Sequence, residues 1–91
     1  MNIPTVTSIE NALQIYYAYP EIGNKEITEL FGNHSSATIS RLKKAVKVEM
    51  DKQETLSYGM NKVNTNIAYI VWGIDIADLE RRRKKLRDLS L

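Results

Sequence analysis

At 91 residues the chain is one domain, or one compact unit with a protruding helix, and its core is small enough for a dimer or partner contact to matter for stability. It has no cysteine, which excludes a disulfide framework and thiolate-held zinc or iron–sulfur sites; no apolar run approaches membrane-spanning length, and the start MNIPTVTSIE lacks the segments of a signal peptide, so a cytoplasmic location is expected. The net charge of +2 is uninformative, but four of the 13 Lys and Arg lie in Arg41–Lys47 and six in Arg81–Arg87, whereas the first 34 residues hold only Lys25 against Glu10, Glu21, Glu26 and Glu29.

The spacing predicts a first helix over about Ser8–Ala18. Thr7 is placed to cap it, Glu10 completes a capping box, and Ile9, Ala12, Leu13 and Tyr16 share one face. Tyr19-Pro20 ends it, because the residue before proline is driven out of helical geometry. Gly23 breaks the chain, and Asn24 is a suitable cap for a short second helix over about Lys25–Phe31, with Ile27, Leu30 and Phe31 inward. Gly32 then stands where helices end in a positive-φ residue.

Ser35 caps a third helix reaching roughly Glu49 or beyond. Ile39, Leu42 and Val46 form its inward stripe. Ser36, Ser40, Lys44 and Lys47 point the opposite way, with Arg41 and Lys43 on the flanks. The stretch from Asp51 to Thr65 reads as a loop, or as a small hairpin turning at Gly59 with Leu56 and Tyr58 alternating, which would make a wing. Thr65 is placed to cap a fourth helix over Asn66–Trp72, interrupted by Gly73. Asp75 caps a fifth that runs toward Leu89, with Asp78 in its first turn and a thin apolar stripe of Ile76, Leu79, Leu86 and Leu89. The expected class is therefore all-α: a three-helix core over residues 1–54, a loop or small wing over 55–65, and C-terminal helices over 66–91 that pack or dimerise.

Within this frame, Glu26-Ile27-Thr28-Glu29-Leu30-Phe31-Gly32 followed by Ala37-Thr38-Ile39-Ser40-Arg41-Leu42 resembles the two helices and turn glycine of bacterial and phage helix-turn-helix regulators, over about a quarter of the chain. The resemblance implies that the third helix enters the major groove of double-stranded DNA. Ser36 and Ser40 would then face base edges or phosphates, Arg41 a guanine, and Lys43, Lys44, Lys47 and Lys25 phosphates. A homodimer is expected, with Trp72, Ile76, Leu79 and Leu86 as candidate contacts; packing of the last helix onto the core is an equal alternative for Trp72. The role would be transcription regulation.

Other readings accompany this one. The basic helices could be solvated faces, or the surface of an adaptor that meets an acidic protein; a packaging or excision factor would use the same DNA contacts for another purpose. Tyr16, Tyr17 and Tyr19 could stack bases, although Tyr16 as core and the others as amphipathic edge residues is the simpler assignment. His34, the lone histidine, has no ligand partner at metal spacing, and no phosphate loop, nucleophile elbow or acid pair is visible. No enzyme activity, cofactor, metal or small-molecule ligand is expected.

Overall fold

A computed structural model describes residues 2–56, 59 and 61–89. The chain is mostly helical, with elements in the order α1 (Ile9–Ala18), β1 (Glu21–Ile22), α2 (Asn24–Phe31), α3 (Ser36–Lys52), β2 (Val63–Asn64), α4 (Thr65–Val71) and α5 (Ile76–Leu89). Among the described residues, no helix is long and apolar enough to cross a membrane.

The expected helices form, but several caps move by one residue. Ser8, not Thr7, caps α1, its hydroxyl accepting from the Asn11 N–H at 3.2 Å. Thr7 instead turns to the end of α2, where its backbone N–H donates to the Leu30 carbonyl at 2.9 Å. The last carbonyls of a helix have no partner within it, and the N-terminal segment supplies one. Gly23, not Asn24, precedes α2, and its N–H donates to Glu26 Oε1 at 2.8 Å. Asn64, not Thr65, caps α4 by accepting from the Ile67 N–H at 2.9 Å. The Thr65 hydroxyl is engaged elsewhere, donating to the Tyr19 carbonyl at 2.6 Å and tying α4 to the end of α1.

The mostly helical class expected from the sequence holds, with one small addition: β1 pairs antiparallel with β2, Glu21 facing Asn64 and Ile22 facing Val63. Pro20 prevents α1 from continuing, and the two-residue strand after it finds backbone partners far along the chain. β2 therefore pairs with β1, far earlier in the chain. Tyr58, named for the expected hairpin, lies outside the described residues with its neighbours at 57 and 60.

One core spans the elements. Ala12, Leu13 and Ile15 of α1, Ile27, Leu30 and Phe31 of α2, Leu42, Val46 and Met50 of α3, and Ile67, Ala68, Tyr69 and Trp72 at α4 are all buried, together with Ile22 and Val63 of the ribbon. Two polar links pin it: the Tyr69 hydroxyl donates to the Ala12 carbonyl at 2.7 Å, and Trp72 Nε1 donates to the Leu42 carbonyl at 3.2 Å. Satisfying these groups removes the penalty that burial would otherwise impose on them. After Trp72 the chain turns through Gly73 (φ 72°), where Gly73 N–H bonds the Ile70 carbonyl and Ile74 N–H the Tyr69 carbonyl; this double closure ends α4 and redirects the chain into α5. α5 then returns antiparallel along α1: Tyr17 donates to Glu80, while Glu10 faces Arg83 further along.

Candidate nucleic-acid interface

The position of α3 is set at its N-terminal end and along its inner face. Gly32 has φ 84° and ψ −174°, a backbone region essentially open to glycine alone, so the chain leaves α2 in a direction that another residue would resist. The Ser35 hydroxyl accepts from the Thr38 N–H at 3.2 Å and starts the new helix. His34 Nε2 lies 3.1 Å from the Phe31 carbonyl and closes the turn between the helices. Further along, Leu42, Val46 and Met50 are buried at i, i+4 and i+8, and Trp72 holds the Leu42 carbonyl. Ile39, expected in the same stripe, is half-buried against the core.

With that side locked, Ser36, Ser40, Arg41, Lys44 and Lys47 are exposed on the other, as is Lys25 in the first turn of α2. Lys43 is half-buried and donates from Nζ to Asn24 Oδ1 at 3.1 Å, linking α3 to the start of α2. Partial burial, and then the charge of Lys47, lower the Lys43 ammonium below the usual lysine range. An anion set between Lys43 and Lys47 would relieve that repulsion. Arg41 extends along the opposite flank, its guanidinium 3.4 Å from Thr38 Oγ1.

Among the described residues the ion pairs fall on α5, where Asp78 meets Arg81 at 3.3 Å and Arg82 at 3.0 Å, and Arg83 stands 4.0 Å from Glu10. No described carboxylate lies within ion-pair distance of an α3 cation. The exposed Lys44 and Lys47 ammonium groups are thus open to solvent or to an external anion.

A shallow cleft of about 310 Å³ runs along this face, lined by Ser40, Lys43, Lys44, Lys47 and Asn61. Asn61 is missed by sequence reasoning. It sits at φ 62°, a left-handed conformation that asparagine tolerates better than most residues, and this turns the chain toward α3 just before β2. The nearby Gly59 was the only local signal that a turn stood there.

The expected dimer contacts do not make one surface. Trp72 is only 4% exposed and is a core residue, edge-on to Phe31 with ring centroids 5.4 Å apart. A large aromatic side chain has more to gain from the α3–α4 seam of its own chain than from solvent. Ile76 and Leu79 are half-buried against the core, and Leu86 alone of the four is largely exposed, at 55%. Of the tyrosines, Tyr16 is half-buried, donates to Asn66 Oδ1 at 3.1 Å and packs beside Tyr69; Tyr17 and Tyr19 are exposed. Tyr17 has its phenol pKa raised, first by its hydrogen bond to Glu80.

Comparison with known proteins returns nothing similar: no family model matches the chain, and neither does any curated protein or solved structure.

Proposed function

We propose that the chain binds double-stranded DNA by laying the outer face of α3 in the major groove, as a sequence-specific helix-turn-helix regulator does. The observation that carries this reading is the two-sidedness of α3: Leu42, Val46 and Met50 are locked in the core while Ser36, Ser40, Arg41, Lys44 and Lys47 are exposed, with no described carboxylate in ion-pair contact with them. A helix about 10–12 Å across fits a groove about 12 Å wide. Lys43, Lys44 and Lys47, with Lys25 at the start of α2, would neutralise phosphates and fix the register. Ser36 and Ser40 would meet base edges as donors or acceptors, and Arg41 offers the planar fork that matches guanine O6 and N7. Asn61 would add a neutral contact at the edge of the same cleft.

The test is a duplex titration over a salt series. Four lysines engaging four phosphates would give a slope of log affinity against log salt of about −3.6. Selection from random duplexes should enrich one sequence. An absence of duplex affinity at low salt would overturn the proposal.

A further inference from the structure

Each flank of α3 borders a cleft that a distant part of the chain completes. On one flank is the cleft of about 310 Å³ that Asn61 shares with Ser40, Lys43, Lys44 and Lys47. On the other is a larger cleft of about 500 Å³, lined by Thr38, Arg41, Leu42, Lys44, Ala45 and Val48 of α3 and by Asn2. Lys44 belongs to both and marks the crest between them. Positions 41, 45 and 48 follow one another at helical spacing, so the second cleft runs lengthwise along the helix. Its two cations have no acid among the residues that line it: Glu49 and Asp51, the acids of α3, line neither cleft. Asn2 is brought there by the segment that follows it. Ile3 and Val6 pack against the core, and the Thr7 N–H is tied to the Leu30 carbonyl at 2.9 Å, so the chain before α1 lies across the molecule.

We infer that this second cleft receives the sugar–phosphate backbone of the opposite DNA strand, and that Asn2 is one of its ligands. The inference rests on the DNA-binding reading above and extends it to both strands. A helix about 10–12 Å across fills a groove about 12 Å wide, so its two flanks meet different strands. Lys43 and Lys47 serve one strand. Lys44 and Asn2 serve the other, and Arg41 keeps the role of base reader. The Asn2 amide donates N–H to a phosphate oxygen without adding charge, a contact that fixes position and not sequence. Ala45 and Val48, the latter 48% exposed, give the cleft an apolar wall for the sugars between phosphates. Charge and shape select the occupant together. The unbalanced cations call for an anion. A flat anionic bilayer would rest on the Lys44 crest and leave both clefts unfilled, and an acidic helix of another protein would occupy one of them. A duplex carries phosphates on both sides of a single inserted helix.

The test uses the full chain and the duplex enriched by selection. Ethylation of single phosphates should block binding at positions on both strands, facing each other across one major groove. In Asn2→Ala the block should fade on one strand and persist on the other. Asn2→Asp places a carboxylate beside the phosphates and should weaken the duplex about tenfold, well within screening distance. Asn11→Asp makes the same charge change at an exposed position on α1 and should leave affinity as in the parent. Val48→Lys should tighten binding and steepen the salt slope by about 0.9. The inference alone is overturned if the parent binds duplex but interference is confined to one strand, or if Asn2→Asp behaves as Asn11→Asp does. It is also overturned if anionic vesicles or a glutamate-rich helical peptide bind the parent more tightly than the duplex and are weakened by Asn2→Asp. A parent with no duplex affinity at low salt overturns the DNA-binding reading and this inference with it.

Discussion

Helices α3 and α5 carry similar runs of positive charge, yet they are built differently. α3 buries Leu42, Val46 and Met50 and is held through Trp72; α5 has no buried residue and keeps Ile76 and Leu79 only half-covered. No described carboxylate lies within ion-pair distance of an α3 cation, whereas Arg81 and Arg82 are paired with Asp78 one turn earlier in their own helix. The comparison teaches that a basic run becomes a defined surface when the opposite face of its helix is anchored. Without that anchor the same charges are adjustable, and pairs of this exposed kind contribute little to stability.

The largest effects should separate the two anchors. Trp72→Ala should lower stability by about 3–5 kcal/mol and Leu42→Ala by about 2–5 kcal/mol, read from urea unfolding. Leu86→Ala should stay within about 0.5 kcal/mol. Equal losses at Leu42 and Leu86 would erase the contrast between the helices.

Gly32→Ala comes next. It forces an ordinary side chain into a glycine-only backbone region and should cost about 1–3 kcal/mol. Because Gly32 sets the direction from α2 into α3, duplex affinity should fall in that variant even where it remains folded. A variant folded and binding as the parent does would show that α3 is aimed by its core contacts alone.

Among surface residues, Arg41→Ala should cost about 1–3 kcal/mol on the preferred duplex and much less on random sequence. Lys44→Ala should weaken all duplexes alike and make the salt slope shallower by about 0.9. Arg81→Ala, on α5, should change neither. If Arg81→Ala behaves like Lys44→Ala, α5 belongs to the DNA surface and the division between the two helices fails.

The smallest effect concerns the core beneath α3. Tyr69→Phe removes the bond to the Ala12 carbonyl and should cost about 0.5–1.5 kcal/mol. Burial raises the Tyr69 phenol pKa well above the ordinary value near 10. The folded state therefore holds this proton where the unfolded chain releases it. Its contribution is complete below about pH 10 and declines as pH rises beyond that value. Alkaline unfolding should show this decline in the parent and lose it in Tyr69→Phe.

Much of the helical framework was legible in advance because it is written in short-range spacing. The buried pairs Ala12–Leu13, Ile27–Leu30 and Leu42–Val46 follow from the helical period, and Ser35 and Asp75 cap where a side-chain oxygen precedes an apolar run. The caps at Thr7, Asn24 and Thr65 were misplaced by one residue because each has an equally suitable neighbour. What decided between them lay elsewhere: the Leu30 carbonyl drew Thr7, and the Tyr19 carbonyl drew Thr65. Ile15 and Met50 were missed as core because their burial depends on which neighbours cover the edges of α1 and α3. Of the proposed interface, the α3 side chains could be read from a helical wheel. Asn61 could not, since its place beside Lys47 depends on a backbone turn and on the pairing of β2.

By itself the sequence determined where helices start and stop, which stripe of each turns inward, and that positive charge gathers on two of them. Propensity, capping and periodicity act over a few residues, so they leave that imprint. Only the tertiary structure decided that Glu21–Ile22 pairs with Val63–Asn64, that Trp72 closes over Leu42 instead of facing a partner, and that the end of α5 forms a groove with the start of α1. Those outcomes join segments separated by tens of residues, and the competition among all buried surfaces of the chain selects them.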